Sequence, residues 1–175
     1  MLKHVFLIIL AAVVSCTLNK ETALANIVNI SNHEISGKAM FEKTSKGIRL
    51  TLTLAGKKNS TVAAHIHSGN ECDRTDGSKA LGHWNPTGED HGYWGTEKFH
   101  SGDLGNIKLN SSGKGELVVV ENKNRWSLKK TGKTSLIGKT IIIHSGYDDG
   151  KTQPAGNAGR RVGCGVIAKG ITGKQ

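Results

Sequence analysis

Residues 48–67 read IRLTLTLAGKKNSTVAAHIH, and this stretch decides the class of fold. Its first seven residues alternate strictly between apolar and polar, which is typical of a strand that buries one face. The apolar positions are Ile48, Leu50, Leu52 and Leu54. A glycine- and lysine-rich turn follows over 56–60, and residues 61–67 alternate again. We therefore predict two strands separated by a turn.

The same pattern of short strands and turns extends over the rest of the chain. Further strands are predicted at 27–31, 36–43, 104–110, 115–121, 136–144 and 163–169. No segment shows a convincing helical period, and the 23 glycines indicate many tight turns. Eight short strands at this spacing predict an all-β fold, an antiparallel Greek-key sandwich or barrel. Two long glycine-rich loops, at 83–103 and 145–161, interrupt it.

The second predicted strand of the opening stretch ends in a pair of histidines. Residues two apart in a strand share a face, so His65 and His67 project side by side and offer two nitrogens to one ligand. Such a pair is a weak signal by itself. It gains weight because five of the eight histidines in the chain fall between His65 and His100.

The loop at 83–103 carries a complete set of ligands for a zinc ion. Three imidazoles and one carboxylate suit tetrahedral Zn²⁺ and require no sulfur. These four side chains are His83, His91, His100 and Asp103. A loop of this length is unusual unless something holds it in place, and a metal would do so.

A second metal site is indicated by the histidines that remain. His65, His67 and His144 bring the candidate ligands to seven, which is too many for one tetrahedral site. Two sites can share one imidazole, because the ring has two nitrogens. His83, which opens the loop, is the natural bridge. The second site then has four imidazoles and an open axial position, a set that favours Cu²⁺.

Length and charge restrict the class of protein. The 175 residues suffice for one domain with a substantial core. The net charge of +10 attracts anions, including a small anionic substrate. No basic run is interleaved with aromatic residues, so we expect no nucleic-acid partner.

The first residues are typical of an export signal. A short basic start precedes an apolar run over 5–14 that is too short to span a bilayer. Two cleavage points compete. One resembles a bacterial lipobox at 13–16 and would make Cys16 the lipidated first residue; the other follows Ala25 in an A-x-A sequence. We favour the first, because the apolar run ends at Cys16. The prediction is a signal over 1–15, a periplasmic location and membrane attachment through Cys16.

The three cysteines support this interpretation. With Cys16 assigned to the signal, Cys72 and Cys164 remain as an even pair. A disulfide between them can persist in an exported protein. It would close a long loop and would stabilise the fold by about 4–5 kcal/mol in the chain-entropy model.

Taken together, these motifs resemble those of the copper/zinc superoxide dismutases of the exported bacterial kind. The family's order of ligands, H-x-H…H-x7-H-x8-H-x2-D…H, is met from His65 to His144. Residues 156–165, GNAGRRVGCG, resemble the family's segment around its active-site arginine and second half-cystine. The blocks at 83–86 and 100–106 are also similar. The resemblance covers about residues 36–169.

The resemblance implies an immunoglobulin-like, eight-stranded Greek-key barrel over 36–175, with 16–35 as a tether and first strand. It places zinc at the four loop ligands above, and copper at His65, His67, His83 and His144. It also implies that Asp148 accepts hydrogen bonds from one histidine of each site, His65 and His91, and so orients them. Arg161 would hold the superoxide anion beside copper.

The implied reaction converts superoxide to dioxygen and hydrogen peroxide, with copper cycling between Cu²⁺ and Cu⁺, His83 supplying a proton and zinc structural. Such an enzyme would protect against extracytoplasmic oxidative stress. The alternative is a non-catalytic exported protein that binds copper and zinc and has no need of Arg161 or Asp148.

Both homodimers and monomers agree with the resemblance. The chain departs from the family at Ala63 and Ala64, where glycine is usual, and at 151–153, where paired glutamates are absent.

Overall fold

The computed structural model describes residues 20–170 and shows an antiparallel all-β architecture in this range, as predicted. The strands are β1 (Thr22–Asn29), β2 (Ile35–Thr44), β3 (Gly47–Gly56), β4 (Thr61–His67), β5 (Asp103–Lys108), β6 (Lys114–Glu121), β7 (Thr140–His144), β8 (Arg161–Val166) and β9 (Ala168–Lys169). One turn of 3₁₀ helix, Ser78–Ala80, is the sole helical element among these residues, so none of their helices is long and apolar enough to cross a bilayer.

The strands form a nearly closed barrel with the predicted Greek-key connections. Their spatial order is β5-β4-β7-β8-β1-β2-β3-β6, and β9 pairs with the start of β1. The chain crosses the barrel twice, from β3 to β4 and from β6 to β7. Strand β1 joins the two halves, because it pairs with β2 over most of its length and with β8 through Val28 and Asn29.

The core lies between the two halves of the barrel. The four alternating apolar residues of β3 are all at most 8% exposed, which confirms the predicted buried face of this strand. Ala64 and Ile66 of β4 face the same core. Because side chains alternate along a strand, His65 and His67 lie on the outer face of β4. They are buried nevertheless, because the two long loops cover that face.

The largest errors in the predicted strands are at three places. Strand β1 begins at Thr22 instead of residue 27, and Ala23 and Ala25 within it are buried in the core. Strand β7 begins at Thr140 instead of residue 136, because Gly138 has a φ of +83° and forms a turn. The last strand is interrupted at Ile167, whose backbone N–H donates to the carbonyl of Lys139 instead of a neighbouring strand. The predicted signal at 1–15 and Cys16 lie outside the described residues.

Candidate metal centre

The seven predicted ligands come together on the outer face of β4 and β7. Two groups of side chains each bring their ligand atoms within 4.8 Å of one another. The first group contains His65, His67, His83 and His144, and the second contains His83, His91, His100 and Asp103. His83 belongs to both groups, and it is partly buried whereas the other six are buried.

Protein hydrogen bonds orient the rings of the first group. Nδ1 of His67 donates to a backbone carbonyl at 2.8 Å, and Nδ1 of His144 donates to another at 3.2 Å. Nε2 of His65 donates to a carboxylate at 2.7 Å. The respective partners are Leu81, Gly159 and Asp148. Each ring therefore keeps one nitrogen free, and the free Nε2 atoms of His67 and His144 lie 3.4 Å apart.

His83 stands between the two groups and presents one nitrogen to each. Its Nδ1 atom lies 2.8 Å from Oδ1 of Asp103 and 3.5 Å from Nδ1 of His100. Its Nε2 atom is buried without a hydrogen-bond partner, and its ring centroid is 4.0 Å from that of His65. A single bridge to His67 and a hydrogen bond from the Trp84 N–H to the Ile66 carbonyl hold this part of the loop against β4.

Contacts within the protein alone hold the carboxylate of Asp103 in position. A bulge at Leu104 of β5 places Asp103 directly across from His65 of β4. Its Oδ2 atom accepts the backbone N–H of His100 at 2.8 Å and that of Gly92 at 3.2 Å. Nδ1 of His91 lies 3.0 Å from the same oxygen, but its geometry is not that of a hydrogen bond. The carboxylate thus organises the loop around the second group.

Asp148 links the two groups. Its carboxylate accepts hydrogen bonds from Nε2 of His65 at 2.7 Å and from Nε2 of His91 at 2.9 Å, and the residue is fully buried. The side-chain amide of Asn106 holds the Asp148 backbone through two hydrogen bonds of 2.8 Å. No sequence pattern singled out Asn106, although it lies in one of the blocks that resemble the family. Gly156 packs so closely that a Cβ there would lie 1.9 Å from Oδ1 of Asp148.

Arg161 lies beside the first group, across from His144 in the pairing of β7 with β8. Its guanidinium donates to the carbonyls of Gly77 and Leu81, each at 2.5 Å. The Leu81 carbonyl is the same one that accepts from His67. Leu81 has a φ of +63°, an unfavourable conformation for this residue type, and no sequence signal indicated it. The backbone of Leu81 therefore connects the arginine to a ligand.

The predicted disulfide is confirmed. Cys72 is bonded to Cys164 with a Cα–Cα distance of 5.4 Å. Cys164 lies in β8, three residues beyond Arg161, and Cys72 lies in the loop segment that includes Gly77 and Leu81. The disulfide therefore links two parts of the chain. One is the segment whose Gly77 and Leu81 carbonyls bind Arg161, and the other is β8, the strand on which Arg161 lies.

Burial and hydrogen bonding set the charges in the metal-free site. Burial is the largest influence on His83 and His144, and it lowers their pKa values to about 4 and about 3. Burial also lowers the pKa of His91, but the adjacent carboxylates of Asp103 and Asp148 outweigh it and raise the pKa to about 9. Burial raises the pKa of Asp103, yet His100, His83 and His91 around its carboxylate hold the pKa well below its ordinary value. His83 and His144 are thus neutral imidazoles in the first group, and the second group has an ionised carboxylate.

The residues fit two metal ions. Three ring nitrogens in the two groups are buried and have no hydrogen-bond partner, Nδ1 of His65, Nε2 of His83 and Nδ1 of His91. An unsatisfied buried polar atom costs about 1–3 kcal/mol, and a bound ion at each group would satisfy all three. Four imidazoles suit copper, and three imidazoles with one carboxylate suit zinc.

An antiparallel Greek-key barrel with a four-histidine group and a three-histidine, one-aspartate group that share one imidazole defines a class of two-metal β-barrel proteins. The family model for copper/zinc superoxide dismutase matches residues 35–167, and the chain belongs to this family, whose metals are copper and zinc.

Similar proteins agree with this assignment. The Cu-Zn superoxide dismutase 2 of Aquifex aeolicus is 41% identical over 150 residues, which cover 83% of this chain and 85% of that protein. The Cu-Zn superoxide dismutase of Deinococcus radiodurans is 32% identical over 162 residues, 86% of each chain. Among solved structures, the clock protein EA4 has a TM-score of 0.73 with 26% identity over 86% of this chain and 96% of its own. A double mutant of a SOD-like protein from Bacillus subtilis has a TM-score of 0.71 with 28% identity over 83% and 96%.

Proposed function

We propose that this protein is a superoxide dismutase that binds copper at His65, His67, His83 and His144 and zinc at His83, His91, His100 and Asp103. The shared imidazole of His83 is the observation that carries the proposal, because one nitrogen faces each group. When bound, copper would supply one-electron redox chemistry for converting superoxide to dioxygen and hydrogen peroxide, and zinc would supply a fixed positive charge beside the shared ring.

Arg161 binds and orients the anionic substrate. Two of its N–H groups are fixed by the carbonyls of Gly77 and Leu81, so the planar guanidinium has one orientation. Its remaining donors and permanent charge attract an anion to the side of the first group where His67 and His144 lie. The positive field of the chain, with its net charge of +10, adds long-range attraction.

His83 transfers a proton, and Asp148 orients the ring of His65. Nε2 of His83 is buried beside the first group and is the site at which the ring can take up a proton and deliver it to the reduced substrate. Nδ1 of the same ring stays fixed on the side of Asp103. Asp148 keeps Nδ1 of His65 directed into the first group, because it occupies the opposite nitrogen.

The decay of superoxide after a radiolytic pulse tests this proposal. Protein loaded with both metals should accelerate the decay catalytically, and selective removal of copper should abolish the acceleration while zinc remains bound. A protein that binds both metals without accelerating the decay would instead be the non-catalytic copper- and zinc-binding alternative. Retention of activity after copper removal would contradict the copper assignment.

We further propose that the chain is exported to the bacterial periplasm and attached to the membrane through lipidated Cys16, where it removes extracytoplasmic superoxide. The position of β1 favours cleavage before Cys16 over cleavage after Ala25. Residues 22–25 pair with residues 39–42 of β2, and Ala23 and Ala25 are 0% and 1% exposed. Cleavage after Ala25 would remove this half of the strand. The disulfide also suits an oxidising compartment.

Metabolic labelling with radioactive palmitate tests the anchor. We expect label in the wild-type protein and none in the Cys16→Ser variant, which should also leave the membrane fraction. A mature N-terminus at Asn26 would contradict the proposal. Recovery of unlabelled protein from the cytoplasm would contradict export altogether.

A further inference from the structure

We propose that Arg125 is a positioning residue for the zinc site, because it holds the two loop segments that carry His91 and His100. Arg125 lies in the connection between β6 and β7, far in sequence from both ligands. The inference rests on the proposed assignment of zinc to the second group. It adds a contact outside the ligands and their hydrogen-bond partners, through which the barrel determines where the zinc ligands lie.

The first contact of Arg125 is a two-pronged ion pair with Glu89. Nη1 lies 2.7 Å from Oε2 of Glu89, and Nη2 lies 3.2 Å from Oε1. Paired hydrogen bonds of this kind fix direction as well as distance. Their side chains are only 16% and 29% exposed. Glu89 stands two residues before His91 and closes a turn with Asn85, whose side chain bonds its N–H and its carbonyl. The ion pair therefore fixes the chain on the approach to His91.

The second contact of Arg125 is with Phe99, the residue before His100. Nη1 also donates to the Phe99 carbonyl at 3.2 Å, and the guanidinium carbon lies 4.3 Å from the centre of the Phe99 ring. Phe99 is 3% exposed, so the stacking takes place largely out of water, where a cation and an aromatic ring attract more strongly. One guanidinium thus binds both arms of the loop.

Arg125 is itself held by the barrel. The carboxylate of Glu121, the last residue of β6, accepts the backbone N–H groups of Lys123 at 2.6 Å and of Trp126 at 3.3 Å. The Trp126 indole donates to the carbonyl of Ser101, the residue after His100, at 2.8 Å. A continuous set of buried or half-buried contacts therefore runs from β6 to the backbone on both sides of His100.

The contacts of Arg125 should affect zinc binding and leave copper binding largely unchanged. His65, His67 and His144 lie on β4 and β7, whose positions are fixed by strand pairing. His91 and His100 lie on a loop outside the named strands, so their spacing depends on side-chain contacts. Loss of the Arg125 contacts should therefore widen the range of positions of the two zinc ligands and leave three copper ligands in place.

Zinc and copper dissociation constants, measured by chelator competition, test the inference in Arg125→Met protein. We expect zinc affinity to fall roughly 10–100-fold, as is usual when residues that orient metal ligands are removed, with copper affinity unchanged. Arg49→Met is the matched control, because Arg49 is exposed on β3 and the change in charge is the same. The control should bind both metals as the wild type does. Unchanged zinc affinity in Arg125→Met, or equal losses for both metals, would overturn the inference.

Two milder variants cover the case in which Arg125→Met fails to fold. Arg125→Lys keeps the charge but loses the planar fork, and Glu89→Gln keeps the size but loses the charge, so each should weaken zinc binding selectively. The double variant Arg125→Lys/Glu89→Gln should bind zinc no more weakly than the weaker of the two single variants. Additive losses of zinc affinity would contradict a shared contact. Wild-type protein that binds no zinc would overturn the zinc assignment itself, whereas normal zinc binding in all three variants would overturn this inference alone.

Discussion

Nδ1 of His83 lies 2.8 Å from Oδ1 of Asp103, whereas Nε2 of the same ring is buried with no partner. The ring therefore has a hydrogen-bond partner on the side of the second group and none on the side of the first group. An imidazole in this position can join two ions and still release one of its nitrogens to a proton.

Replacement of Gly156 by alanine should weaken zinc binding through Asp148. A Cβ at Gly156 would meet Oδ1 of Asp148 at 1.9 Å and Nε2 of His91 at 2.5 Å, and so would break the hydrogen bond between them. We expect a loss of zinc affinity of roughly 10–100-fold. Gly138→Ala is a matched control, because Gly138 also has a positive φ but has open space around it and lies outside the two metal-site loops. Equal effects of the two variants would show that backbone strain, and not Asp148, is responsible.

Removal of the Arg161 side chain should slow the reaction without loss of metals. In Arg161→Ala we expect the bimolecular rate constant to fall roughly 10–100-fold, because a hydrogen bond to a charged group contributes about 1.5–3 kcal/mol. The dependence of the rate on ionic strength should become weaker. Arg49→Ala, which removes the same charge from exposed β3, should change the rate little. A wild-type rate in Arg161→Ala would remove this residue from the mechanism.

Loss of the disulfide should affect both stability and the arginine. The Cys72–Cys164 bond spans 92 residues, and the chain-entropy model assigns about 4–5 kcal/mol to a loop of this length. In Cys72→Ser/Cys164→Ser protein we expect the unfolding free energy to fall by about 2–5 kcal/mol, measured with urea. The rate constant should fall as well, because the segment with Gly77 and Leu81 is released from β8. A stability loss with an unchanged rate would show that Arg161 is held independently of the bond.

The stability of the metal-free protein should depend on pH through His91. Its pKa is raised from 6.5 to about 9, so its contribution is complete below pH 6.5 and is lost as the pH rises through about 9. A shift of this size corresponds to about 3 kcal/mol at most. Urea unfolding should show this alkaline loss in the wild type and a smaller one in His91→Gln. The same loss in both proteins would contradict the interaction of a charged His91 ring with the carboxylates of Asp103 and Asp148.

The opposite dependence is expected on the acid side. The pKa values of His83 and His144 are lowered to about 4 and about 3, so both are neutral in the fold and take up protons more readily when the chain unfolds. Their contribution is complete above pH 6.5 and is lost as the pH falls through these values. His144→Gln should therefore be less sensitive to acid than the wild type in urea unfolding of the metal-free protein.

The strands and the first two ligands were predictable because they depend on local periodicity. The alternation in β3 showed which residues face the core, and the spacing of two between His65 and His67 placed both rings on one face. The start of β1 was not predictable. Ala23 and Ala25 have low strand propensity, so residues 22–26 are predicted as part of the tether that precedes the first strand. Their burial in the core became visible only with β2 in place.

Apart from Asp148, which the resemblance indicated, the residues that hold the ligands and their partners in position could not be found from the sequence. Asn106 lies 42 residues from Asp148, and Arg125 lies 36 residues from Glu89. No short motif connects such pairs, because their contacts exist only after the barrel has closed. Leu81 gave no indication either, since leucine is not a residue that favours positive φ.

Anomalous diffraction from crystals of the copper- and zinc-loaded protein, recorded at the absorption edges of both metals, tests the central claim most directly. We predict copper bound to Nε2 of His83 and zinc bound to Nδ1 of the same ring, each metal–nitrogen distance about 2.0–2.1 Å. A structure in which the fully loaded, oxidised protein has His83 bound to only one ion, or in which either ion lies away from these side chains, would contradict the account.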